Sequence, residues 1–221
     1  MYGWSIYVGA DPITTVPLRR AGSGEEVHGV MAGTAIASCS GWRPVEALAV
    51  GDRVWTFDNG LRPILEIRRT VFGRTQLDRE KAPAPLAIPA AALGNEADIT
   101  LLPHVGLLLE CENASDAMGD PFAVIPIAAL DGICGIHRAP AQRRMEIFTL
   151  IFAEEEVIYI DSGLLIHCPL PDADGSSNEA FYDVKTPQAA KAILTDLDLA
   201  ELALREANEE FFGIPDIERV A

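Results

Sequence analysis

From Gly29 to about Leu170 the chain is a succession of short apolar phrases, each cut off early by a turn signal. "TAIAS", "RVWTF", "RPILEIRRTVF", "LAIPAAAL", "ADITLLP", "VGLLLEC", "FAVIPIAAL", "MEIFTLIF" and "EVIYIDSGLLIHC" are rich in Val, Ile, Leu, Phe and Thr. Such phrases read as short β-strands. "DNG" at Asp58–Gly60 predicts a hairpin, because Asn and Gly tolerate the positive φ of tight turns. "CSGW" at Cys39–Trp42 predicts another turn. Prolines recur between and within the strands, which suits bent or edge strands better than one flat central sheet.

The character changes near Pro169. "PLPDADGSSNEA" is a polar loop, and "TPQAAKAILTDLDLAELALREANEEFF" reads as helix. Thr186 can cap it and Pro187 suits its first position. The stripe of Ala190, Ile193, Leu194, Leu197, Leu199, Leu202 and Leu204 follows a helical period only roughly, so a break near Asp196 or Asp198 is expected. Gly213 is the expected stop, with Pro215 just beyond. Ahead of Gly29, "WSIYV" can form one strand and "RRAGSGEE" a polar connector. Three parts follow: a leader at 1–28, a β domain at 29–170, and a loop with helical extension at 171–221.

Thirty-three acidic residues against 17 Lys and Arg give a net charge of −16. A surface this acidic repels phosphate backbones and anionic lipid, so neither nucleic acid nor a membrane is an expected partner. Arg62, Arg68, Arg69 and Arg74 form a local basic patch and read as solvated strand edges. Four cysteines, Cys39, Cys111, Cys134 and Cys168, are too widely spaced for a small disulfide framework. The start lacks a basic region followed by a long apolar run, and the cytoplasm is the default compartment, with signal-less export left open.

One stretch is more specific. "GTAIASCSGWRPVEALAVGDRVWTFDNGLRPI" carries a Gly-Thr strand, a turn, and the phrase P-V-E-x-L-x-V-G-D-x-V-x-T on Pro44, Val45, Glu46, Leu48, Val50, Gly51, Asp52, Val54 and Thr56. Val45, Leu48 and Val50 are expected to pack inward beneath a sharp corner, with Gly51 and Asp52 supplying the turn. The stretch resembles the start of the Hedgehog/intein, or Hint, autoprocessing domains, in particular their bacterial branch. "ADITLLPHVGLLLE" and "MEIFTLIFAEEEVIYIDSGLLIHC" resemble the middle and late strands of the same family. The resemblance spans roughly residues 29–170 and implies a mainly β fold, a disk or horseshoe of bent, intertwined strands, with the C-terminal helical appendage outside it.

The resemblance also implies a chemistry. A Cys, Ser or Thr opening the domain attacks the preceding carbonyl, which other groups polarise, and converts a peptide into a thioester or ester. In this chain the position of that nucleophile is Gly29, which has no side chain. The family's middle histidine falls on Val105, one place from His104, and on a strand that offset turns the ring to the other face unless a bulge restores it. The first late histidine falls near Phe148 or Thr149 and the second near Glu155. No Asn precedes His167 and Cys168, where splicing would want one. The chain is therefore expected to be a Hint-like module without self-cleavage, structural or bound to an unknown protein partner. Two alternatives stand beside it: an active domain using Cys39 with His104 as polarising group, and a hydrolase or small-ligand protein reusing the cleft.

Other constellations are weaker. "CGIH", Cys134 and His137, could join His167 and Cys168 in a tetrahedral metal set, but a free Cys commonly packs as a small hydrophobe, and no metal or other cofactor is expected. "FAEEEV" and "REANEE" lack the spacing of a calcium loop, and "DADG" at Asp172–Gly175 is only a fragment of one. Trp4, Trp42 and Trp55 are expected in the core or at its rim. P-loop, GxGxxG and GxSxG patterns are missing.

Overall fold

A computed structural model describes residues 18–19, 27–73, 82–110, 121–140, 142–170 and 181–196. Its strands, in chain order, are β1 (Leu18–Arg19), β2 (Val30–Met31), β3 (Ala35–Ser38), β4 (Gly41–Pro44), β5 (Arg53–Thr56), β6 (Gly60–Pro63), β7 (Glu66–Phe72) and β8 (Leu86–Ile88). There follow β9 (Ile99–Leu101), β10 (Gly106–Glu110), β11 (Phe122–Pro126), β12 (His137–Arg138), β13 (Met145–Ile151), β14 (Glu156–Tyr159) and β15 (Leu165–Cys168). A helix, α1 (Pro187–Asp196), ends the described chain. The architecture is mainly β with a C-terminal helix, as the strand-like phrases predict.

The largest sheet runs β11-β10-β15-β14-β5-β3-β4, with β6 paired to β5. A second sheet runs β1-β7-β13-β2 and a third β12-β8-β9. In the largest sheet successive residues go to opposite faces, and both faces are covered. Ile36, Leu107, Ile158 and Ile166 enter the main core, while Ala37, Leu108, Val157 and Leu165 enter a second cluster. Tyr182, Trp42 and Trp55 close over that second cluster. Trp4 and "WSIYV" lie outside the described residues.

Two apolar phrases divide where the chain chemistry requires. "FAVIPIAAL" is strand only to Pro126 and then a 3₁₀ turn at Ile127–Leu130, since Pro126 has no N–H to continue the ladder. "EVIYIDSGLLIHC" is a hairpin, β14 and β15, reversing through Gly163 at φ +84°. The Asp58–Gly60 hairpin forms between β5 and β6 as expected.

The corner phrase is held by its two acids. Glu46 Oε2 accepts from the N–H of Gly33 at 2.9 Å, tying the Gly-Thr turn to the following 3₁₀ turn, Val45–Ala47. Asp52 Oδ2 accepts from Ala49 N at 2.9 Å and from Arg43 Nη1 at 2.8 Å. Val45 and Leu48 are buried, but Val50 is 51 % exposed, which corrects the expectation that it packs inward. The chain reverses directly after Leu48, with Asp52 N donating to Ala49 O at 3.0 Å, so Val50 rides the outside of the bend.

At the C-terminus Thr186 caps α1, its Oγ1 accepting from Ala189 N at 3.2 Å. Ala190 is fully buried. The helix packs on β11 and on the 3₁₀ turn at Ile127–Leu130. A break is expected near Asp196 or Asp198; α1 runs to Asp196, and Asp198, the expected stop at Gly213 and the basic residue Arg74 lie outside the described residues.

Candidate functional site

Strand β2 pairs antiparallel with β13, Val30 opposite Phe148, and this pairing sets the geometry around the start of the β domain. Gly29 has φ +135°, a region that only glycine enters freely. A Cβ built on it would stand 2.5 Å from the Phe148 carbonyl oxygen and 3.0 Å from Thr149 Oγ1. No side chain fits there unless β13 moves.

The same Thr149 hydroxyl donates a hydrogen bond to the carbonyl oxygen of His28. Thr149 thus polarises the carbonyl that precedes Gly29. Thr149 is one of the two positions, with Phe148, near which the resemblance leads one to expect the first late histidine. His28 itself was not legible as part of the site, because it lies just before the quoted motif.

His104 is not on a strand. It sits in a turn between β9 and β10 that closes with Val105 N donating to Leu102 O at 3.1 Å. Val105 is buried and His104 half-buried. In this turn the His104 ring meets the His28 ring edge to face, centroids 6.4 Å apart and planes at 62°. The structure therefore brings His104, His28, Gly29 and Thr149 together.

Cys39 is placed elsewhere. It is exposed in the turn joining β3 and β4, its N–H donating to Arg53 O at 3.0 Å and its Sγ 3.7 Å from Ser40 Oγ. The whole of β3 separates it from the Gly-Thr turn, roughly 13 Å of extended chain at about 3.3 Å per residue. β3 also belongs to the largest sheet, whereas β2 belongs to the sheet of β7 and β13.

A second polar cluster surrounds Glu155. Its Oε1 lies 2.5 Å from His167 Nε2, and its Oε2 accepts from Phe181 N at 2.8 Å and Tyr182 N at 3.4 Å. Burial pushes this carboxyl up, but the hydrogen bond and charge of His167 and the two N–H groups outweigh it and hold Glu155 below the usual carboxylate range. Tyr182 donates its hydroxyl to Asp58, and burial together with that carboxylate raises the phenol well above its ordinary range. Buried Glu156 is met by Asn59 Nδ2 at 3.0 Å and Arg62 Nε at 3.2 Å. Burial, with the charge of Glu156 behind it, pushes the Cys168 thiol up to about 12, which leaves it without thiolate at neutral pH.

Among the described residues no group of three or more His, Cys, Asp or Glu side chains could hold a metal ion. His137 Nδ1 lies 2.8 Å from Gly135 O, and Cys134 is exposed at φ +47°. Within the basic patch, Arg62 meets Glu156, Arg68 meets Glu66 and Arg69 meets Glu146. No helix among the described residues is long and apolar enough to cross a membrane.

Comparison with known proteins gives one family. The sequence pattern described as "Hint domain" matches residues 29–165. No curated protein matches the chain. Among solved structures, a bacterial intein-like domain from Clostridium thermocellum is similar at 12 % identity and a TM-score of 0.43, over 64 % of this chain and 99 % of that one. A splice-inactive variant of the AceL NrdHF class 3 split intein is similar at 11 % identity and a TM-score of 0.40, over 65 % and 98 % of the two chains. The gp41-1 intein is similar at 11 % identity and a TM-score of 0.37, over 63 % and 98 %.

Proposed function

This chain belongs to the Hint domain family, and from that premise we propose that it is a non-cleaving member acting as a structural or protein-interaction module. The observation that carries the reading is Gly29. Acyl shift needs a nucleophile on the residue after the scissile carbonyl. Here that residue has no side chain, and the Phe148 carbonyl oxygen fills the space a Cβ would need.

The peptide before Gly29 keeps polar neighbours. Thr149 donates to the His28 carbonyl and the His104 ring stands beside His28. A polarised carbonyl without an attacking atom leaves the peptide intact, and the hydrogen bond then serves as a tie between the entering chain and β13. An interaction role is supported by Val50 and Leu65, both about half exposed, which flank the hydrogen bond from Gly51 N to Ile64 O.

The test is the intact mass of the full chain followed over time, with and without dithiothreitol or hydroxylamine. Only uncleaved protein is expected. A fragment ending at His28 would overturn the reading in favour of an active junction. A thiol-dependent fragment that disappears in Cys39→Ala would overturn it in favour of Cys39 as nucleophile.

A further inference from the structure

The segment following the described β domain is built into its surface. Val184 pairs parallel with Val124 of β11, with Asp183 O accepting from Val124 N at 3.1 Å and Lys185 N donating to Val124 O at 2.9 Å. Glu155 accepts the N–H groups of Phe181 and Tyr182 while engaging His167. The Tyr182 ring stands edge-on to His167 at 5.6 Å and is 3 % exposed. Residues Phe181–Lys185 thus form a strap held by two carboxylates, Glu155 on its backbone and Asp58 on the Tyr182 hydroxyl, by one aromatic anchor and by two backbone hydrogen bonds to β11.

The strap leads to the junction through two contiguous paths. Its continuation, α1, packs on the 3₁₀ turn at Ile127–Leu130. That turn holds the loop of His104, with Ile127 N donating to Val105 O and Ala128 N to Pro103 O, both at 2.9 Å. The second path is packing without slack. A Cβ at Gly106, two residues beyond His104, would lie 2.3 Å from Val124 Cγ1 and 3.3 Å from His167 Cβ. The side chains of Val124 and His167 therefore bear directly on the start of β10, and close-packed interiors transmit such shifts rather than absorbing them.

We propose that Glu155 is the latch of a C-terminal strap, and that docking of this strap sets the position of His104 against His28. The device has two states: strap seated with His104 turned onto His28, and strap released with the His104 loop loosened. It operates whether or not the junction cleaves, because it rests on contacts outside Gly29.

The experiment compares the full chain with Glu155→Gln by amide hydrogen exchange and by NMR of the histidine rings. The chain has four histidines, so each ring signal can be assigned by single substitution. Removing the charged acceptor is expected to speed exchange at Val124 and Lys185 by about tenfold or more, as loss of a charge-assisted hydrogen bond implies. The signals of His28 and His104 are expected to move with it, while that of His137 stays. Lys185→Pro removes the N–H that donates to Val124 O and, read by exchange at Val124, decides the matter if Glu155→Gln does not fold. Unchanged exchange at Val124 in the folded Glu155 variant would overturn the latch. Faster strap exchange with unmoved His28 and His104 signals would overturn the coupling.

Discussion

Thr149 and His28 are joined by a hydrogen bond that runs from a side chain on β13 to the last carbonyl before the β domain. The bond bridges 121 residues of sequence and fixes where the entering chain meets the sheet. Thr149→Val keeps the shape and removes the donor. It is expected to destabilise the protein by about 1 kcal/mol, since the half-buried His28 carbonyl loses its partner. Urea unfolding of the two proteins measures this, and faster exchange of the β2 amides should accompany it.

Gly29→Cys places a thiol where the resemblance puts the nucleophile. It is nonetheless expected to lower stability by roughly 1–3 kcal/mol, from an unfavourable φ and the contact with Phe148 O. No cleavage is expected. Thermal melting and intact mass of the same sample check both parts, and Gly29→Ala should show a comparable stability loss.

Glu155 makes the strap sensitive to acid. Its carboxyl is held below the usual 4.5, so its contribution is fully present above about pH 4.5 and is lost as pH falls through the lowered value. His167 on β15 faces it directly, while Glu156, Arg62 and Asp58 are the charged groups of the adjoining strands and turn, and Asp183 and Lys185 those of the strap. Protection of the Lys185 amide, exchange being taken relative to its intrinsic rate at each pH, should fall in that acid range for the wild type. The Glu155→Gln variant should start less protected and change less.

Thiol labelling separates the cysteines by burial. Cys39 and Cys134 are exposed and should react with a maleimide in the native protein, whereas buried Cys168, its thiol pushed up to about 12, should label only after unfolding. Peptide mapping by mass spectrometry reads each site.

Asp52→Ala removes the acceptor for both Ala49 N and Arg43 in the corner. A loss of about 1–2 kcal/mol is expected, comparable to losing a capping side chain, and a denaturation midpoint measures it.

Local chemistry made some of this legible and hid the rest. The Asp58–Gly60 hairpin and the Thr186 cap could be read because each depends on neighbours in sequence: Gly60 takes φ +63° and Thr186 reaches Ala189. Val50 departs from its apolar pattern because the chain reverses between Ala49 and Asp52 and carries it on the outside of the bend. The setting of His104 was hidden because its turn is tied by N–H groups of Ile127 and Ala128, far along the chain. The role of Thr149 depends on a strand pairing, and that of Tyr182 on a strap whose flanking sequence reads as polar loop.

The close approach of Gly29 to the Phe148 carbonyl makes one small residue a keystone between two segments far apart in sequence. Any side chain at position 29 requires the backbone of β13 to step aside, and that backbone is shared with β7 along seven paired positions.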